Sequence, residues 1–114
     1  MPQQPPTWSR PTTRLAGRVV LVTGAGQGVG RGVALALARE GACVALAGRT
    51  VAKCEAVVAE IGSFGGSAVA LACDVTDRAQ VDAIVAATAE RFGGLDALVN
   101  NAQTSVQRLL ADTT

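Results

Sequence analysis

The chain has 114 residues, 49% of them hydrophobic and 17% charged, which is enough for one small domain with a real core and too little for a second. Its net charge of +1 gives no general attraction for nucleic acid or an anionic membrane, and the lack of any histidine removes imidazole as catalytic base and as metal ligand. The three cysteines, Cys43, Cys54 and Cys73, form no C-x-x-C pair and point to neither zinc nor a disulfide framework; they read as reduced, largely buried thiols of a cytoplasmic protein.

No apolar run is long enough to cross a membrane, and the N-terminus lacks the apolar stretch of a secretory signal. Arg10, Arg14 and Arg18, with no acid before Glu40, have the charge of a transit peptide, but Pro2, Pro5, Pro6 and Pro11 break the amphipathic helix such a signal needs. All the prolines fall in the first eleven residues. That shift in composition predicts a flexible arm over 1–14, carrying Trp8, ahead of a compact domain over 15–114.

From there the pattern alternates. Val19 to Val22 is a short β-branched run and predicts a buried strand. A helix follows from about Gly28 to Glu40, with Val29, Val33, Ala36 and Leu37 expected inward and Gly41 ending it. Cys43 to Ala47 predicts the second strand, and Val51 to Ile61 a helix with Val51, Cys54, Val57, Val58 and Ile61 on one face. After Gly62, Gly65 and Gly66 comes a third strand, Ala68 to Ala72. Asp77 and Gln80 have the spacing of a capping box for a helix to about Phe92, with Val81, Ile84, Val85, Thr88 and Phe92 inward. Gly93-Gly94 ends it, and Ala97 to Val99 predicts a fourth strand leading into Asn100-Asn101.

Uniformly apolar strands alternating with helices imply a parallel sheet covered on both faces, with right-handed crossovers. The expected fold class is therefore α/β: a Rossmann-like, doubly wound sheet, here partial, with about four strands in the order 3-2-1-4. In that order Cys43 and Cys73 lie near opposite ends of neighbouring strands, about 15 Å apart and out of bonding reach.

The chemistry-bearing segment is Thr23-Gly24-Ala25-Gly26-Gln27-Gly28-Val29-Gly30. It leaves a strand and opens a helix, the context in which glycines let a backbone approach a pyrophosphate and helix N–H groups face its charge. A G-x-G-x-x-G match fails because Val29 and Arg31 stand where glycine is needed, and a Walker loop lacks its lysine. The spacing that does fit is T-G-x-x-x-G-x-G, with Thr23, Gly24, Gly28 and Gly30. In this the chain resembles the short-chain dehydrogenase/reductase family. Cys73-Asp74-Val75 at the third strand's end and Asn100-Asn101-Ala102 at the fourth's match further family motifs, although Gln103 replaces the last glycine of the latter.

The resemblance implies a nicotinamide-dinucleotide oxidoreductase acting on carbonyls or alcohols. It implies cofactor binding by Thr23, Gly24, Gln27, Gly28, Val29 and Gly30 in the loop. It further implies that Asp74 and Val75 meet the adenine, and that Asn101 and Ala102 line the adenosine side. Gly48 takes the place where NAD-preferring relatives carry an acid, and Arg49 beside it is suited to a 2′-phosphate, so NADP is favoured over NAD. The second basic position of many NADP-dependent relatives precedes the middle glycine of the motif, and Gln27 stands there.

The family's catalytic Tyr and following Lys have no counterpart. The chain contains no Tyr, and its one lysine, Lys53, falls in the second helix, where it is expected to be far from any reaction centre. The chain thus reads as an N-terminal, dinucleotide-binding part of a reductase, inactive in hydride transfer by itself. The competing reading is a non-enzymatic nucleotide-binding or scaffold module docking through Gln103 to Thr114.

Overall fold

A computed structural model describes residues 14–101. The expected arm, apart from Arg14, and the segment from Ala102 onward, including Gln103, lie outside the described residues. The elements alternate: β1 (Val19–Thr23), α1 (Gly28–Arg39), β2 (Cys43–Gly48), α2 (Val51–Ser63), β3 (Ser67–Ala72), α3 (Arg78–Phe92) and β4 (Ala97–Asn100). The four strands form one sheet in the order β3-β2-β1-β4, with every pairing parallel. The doubly wound α/β architecture and its strand order are those expected from the sequence. Cys43 pairs with Ser67 at one end of β2 while Gly48 pairs with Ala72 at the other, so Cys43 and Cys73 are kept apart and both are free thiols.

The apolar strands bury side chains on both faces. Val20 and Val22 of β1 and Val44 and Leu46 of β2 point to one side, against Ala34 and Ala38 of α1 and Cys54, Val57 and Ile61 of α2. Leu21, Ala45 and Ala47 point to the other, against Ile84 of α3. Leu21 is fully buried, and removing a side chain of that size from water contributes roughly 1.5–3 kcal/mol. Coverage is uneven. β1 is buried throughout and β2 at all but its two end residues, β3 is half-buried between exposed ends, and in β4 Ala97 and Leu98 are exposed.

The buried stripe of α1 differs in part from the expected one: Leu37 packs half-buried against the core as expected, but the fully buried positions are others. Its buried residues are Gly30, Ala34 and Ala38, whereas Val29 is 71% exposed and Ala36 is exposed too. Hydrophobicity alone favours the valines, but the helix lies so close to β1 that only small side chains fit between them. A Cβ on Gly30 would stand 2.1 Å from the Gly24 carbonyl oxygen. The face of α3 is the expected one: Ile84 and Thr88 are buried, with Val81, Val85 and Phe92 half-buried. Thr88 satisfies its buried hydroxyl by donating to the Ile84 carbonyl at 2.7 Å.

Asp77 caps α3, accepting from the N–H groups of Ala79 and Gln80. The reciprocal half of the capping box is diverted. Gln80 Oε1 accepts from the Asp74 N–H at 2.8 Å, while Gln80 Nε2 donates to Asp77 Oδ2. The cap thereby holds the turn that carries Asp74. Gly93 closes the helix in the left-handed region, at φ 84°. On the opposite side, Arg31 of α1 makes a two-pronged contact with the Glu60 carboxylate of α2, fastening the two helices beside the glycine loop.

Candidate functional site

The helix after β1, α1, packs on one face of the sheet and α3, which leads into β4, on the other, and a crevice opens at the carboxyl ends of the strands. Here it is a cavity of about 610 Å³, within the usual range for ligand pockets. Gly24, Gly26, Gln27 and Gly28 form its floor. Gly48, Arg49 and Thr50 follow β2, and Lys53 and Cys54 come from the first turn of α2. Cys73, Val75 and Thr76 follow β3, and Asn101 follows β4.

The floor is shaped for an anion. Gly24 and Gly28 have φ of 64° and 61°, which glycine adopts without strain. Gln27 precedes α1 in extended backbone, gives no side-chain cap, and the first turn holds no acid. The first N–H groups of α1 are thus left to whatever occupies the crevice, and the helix dipole adds positive potential there. Gly30 lets the helix start this close to the sheet, since a Cβ would also lie 2.7 Å from Asn101 Nδ2.

Thr23 takes a different place. It is buried and does not line the cavity; its hydroxyl donates to Asn100 Oδ1 at 3.1 Å and accepts from the Asn101 N–H at 3.2 Å. The hydroxyl pins the end of β1 to the end of β4, with Asn101 on the wall. Val29 and Gly30 are likewise outside the lining, one facing solvent and the other packed beneath the loop.

Asp74 is not among the lining residues, although Cys73 and Val75 on either side of it are. Thr76 donates to its Oδ1 twice, from the backbone N–H at 3.0 Å and from the hydroxyl at 2.6 Å, and Arg49 Nη2 lies 3.3 Å away. These bonds lower its pKa, those from Thr76 most and the Arg49 charge less. Among the described residues all three donors converge on Oδ1. The two buried thiols of the wall go the other way: burial, with the Glu55 charge, raises Cys54, and burial, with Asp74 and Asp77, raises Cys73. Both remain protonated near neutral pH and are poor nucleophiles.

Lys53 has a place in the site that its position in the sequence did not reveal. It lines the cavity, and its Nζ donates to Gln27 Oε1 at 3.0 Å. A Cβ on Gly26 would come within 2.8 Å of the Lys53 Cβ, so the bare loop backbone and the start of α2 touch. Helical periodicity places Lys53 outside the core face, but it does not show that this outer face meets the glycine loop.

The profile of the short chain dehydrogenase family matches residues 18–114. The chain belongs to this family. It is 49% identical over 89 residues to galactitol 2-dehydrogenase of Agrobacterium fabrum, an alignment covering 78% of this chain and 34% of that protein. To levodione reductase of Leifsonia aquatica it is 47% identical over 96 residues, covering 82% of this chain and 36% of the other. Among solved structures, a hydroxysteroid dehydrogenase from Escherichia coli superposes with a TM-score of 0.77 at 36% identity, over 80% of this chain and 39% of that one. A short chain dehydrogenase from Mycobacterium smegmatis gives 0.77 at 37% identity, over 87% and 42%. The chain thus spans about a third of the length of these two curated relatives. Among the described residues no helix is long and apolar enough to cross a membrane, and no cluster of acids and cysteines has the makings of a metal site.

Proposed function

We propose that this short-chain dehydrogenase segment is the dinucleotide-binding part of an NAD(P)-dependent oxidoreductase acting on a carbonyl or alcohol, and that its cofactor is NADP. The convergence of the uncapped α1 N-terminus with the ends of all four strands on one cavity carries this reading. The loop N–H groups would hold the pyrophosphate, Asp74 and Val75 the adenine, and Asn101 the adenosine wall. Ala102 is assigned the same wall from its place in the motif. The bound nicotinamide would supply or accept the hydride. What these residues contribute is binding and orientation, and the family's Tyr and Lys would have to come from elsewhere in the whole protein.

Arg49 and the acid-free β2 end support NADP over NAD, because a guanidinium forms charge-assisted hydrogen bonds to a 2′-phosphate and an acid there would repel it. Three free cysteines fit a reducing, cytoplasmic setting. Isothermal titration with NADPH and NADH tests the assignment. NADPH is expected to bind more tightly by about tenfold, the effect of one good charge-assisted contact. A protein giving no heat and no thermal shift with either nucleotide at millimolar concentration sinks it; tighter NADH binding reverses the cofactor preference alone.

A further inference from the structure

We propose that Lys53 reads the cofactor's 2′-phosphate, acting from α2 in the place of a basic residue in the glycine loop. This rests on the dinucleotide reading above and adds to it a residue that determines specificity. Among the described residues two cations line the crevice, Arg49 and Lys53. They differ in compensation. Arg49 already faces the Asp74 carboxylate at 3.3 Å, so much of its charge is answered within the protein. Lys53 donates to the neutral amide of Gln27 and, among the described residues, has no carboxylate within ion-pairing distance. Its remaining N–H donors are open to the cavity. Lys53 is therefore the larger source of unanswered positive charge on this wall.

Position selects the phosphate. The pyrophosphate belongs to the α1 N-terminus. Lys53 stands on the first turn of α2, where its N–H bonds the Thr50 carbonyl at 3.0 Å, directly after the β2 end where the ribose 2′ position is read. The α2 N-terminus has no side-chain cap and no acid in its first turn, which favours an anion there. Gln27 holds the ammonium between loop and helix, and Gly26, lacking a Cβ, leaves room for the lysine stem. The charge that the loop lacks at Gln27 is brought to it by another element.

Two probes separate the phosphates: adenosine 2′,5′-bisphosphate, which has the 2′-phosphate without a pyrophosphate, and adenosine 5′-diphosphate, which has the reverse. Lys53→Met keeps the stem against Gly26 and removes the charge. It is expected to weaken the bisphosphate by about tenfold and to leave the diphosphate essentially unchanged, while Lys53→Arg retains the bisphosphate. Because Lys53 is the sole lysine, acetylation of its side chain in the unmutated protein gives an independent readout by mass spectrometry. The bisphosphate should slow it and the diphosphate should not. Equal weakening of both probes would place Lys53 on the pyrophosphate and overturn the proposal, as would binding unchanged by Lys53→Met or acetylation unaffected by the bisphosphate. An unmutated protein that binds neither probe overturns the dinucleotide reading itself, a result distinct from failure of the Lys53 assignment.

Discussion

Arg49 Nη2 lies 3.3 Å from Asp74 Oδ1, so the residue that follows β2 is tied to the turn that follows β3. Both were singled out in the sequence as ligand contacts, and in the structure each is a partner of the other. The pair is exposed, with 70% and 39% of the two side chains accessible, and an arriving phosphate competes with a carboxylate for the guanidinium.

The Asp74 carboxylate sets a pH dependence, chiefly through its bonds from Thr76. Asp74 is expected to titrate below the ordinary aspartate value of 3.8. A carboxylate whose pKa is depressed by folding stabilises the native state above its unfolded pKa, and the contribution is lost as pH falls through the folded one. Carbon-detected NMR of the Asp74 carboxyl checks this. Thr76→Val should raise the midpoint more than Arg49→Gln, because the Thr76 bonds are the larger cause; the opposite ranking would refute the assignment of causes.

Gly30→Ala should fail where Gly32→Ala succeeds. A methyl at position 30 meets the Gly24 carbonyl at 2.1 Å, and displacing that backbone costs roughly 1–3 kcal/mol or more and distorts the anion floor. Position 32 is on the exposed side of the same helix with nothing within 4 Å, so alanine there should stabilise by roughly 0.5–1 kcal/mol. Urea denaturation and NADPH titration of the two variants give the comparison.

Gly48→Asp is the obvious change for converting the site towards NAD, and it is expected not to do so alone. A Cβ at position 48 would stand 3.1 Å from Cys54 Sγ, closer than comfortable packing. NADPH should weaken by about tenfold through charge repulsion, without a matching gain for NADH. Combining it with Cys54→Ala, which vacates the sulfur, should restore stability and let NADH binding rise; titration of both variants with both nucleotides decides.

Thr23→Val keeps the shape and removes the hydroxyl that bridges β1 to Asn100 and Asn101. A loss of about 1–2 kcal/mol is expected, from an unmade bond and a stranded N–H at Asn101. Hydrogen exchange should speed up at Asn101 in particular. Protection unchanged there would mean that the β1–β4 ladder holds this end without the hydroxyl.

Much of the architecture was legible because it is written in local pattern. Four apolar runs, the glycine spacing and the Asp77 cap each sit within a few residues, and the strand order follows from how such units wind. Four features were not legible. The inward stripe of α1 runs through Gly30, Ala34 and Ala38, where closeness to the sheet outweighs hydrophobicity. Lys53 reaches Gln27 across 26 residues of chain, and Arg49 reaches Asp74 across 25. Gln80 turns to Asp74 instead of completing its own box. Each depends on how two elements cross, and side-chain periodicity within one element carries no information about that.

The clasp of Thr23 on Asn101 joins residues 78 positions apart, and it holds Asn101 on the wall of the crevice whose floor begins at Gly24. Such a crevice exists only in a chain whose most distant segments have already met. Its contact order is high, and the loop-closure entropy is settled before any ligand is seen. A nucleotide that occupies it then favours the folded population by mass action, raising the melting temperature with the logarithm of its concentration. Occupancy and correct strand assembly are, for this segment, a single observable.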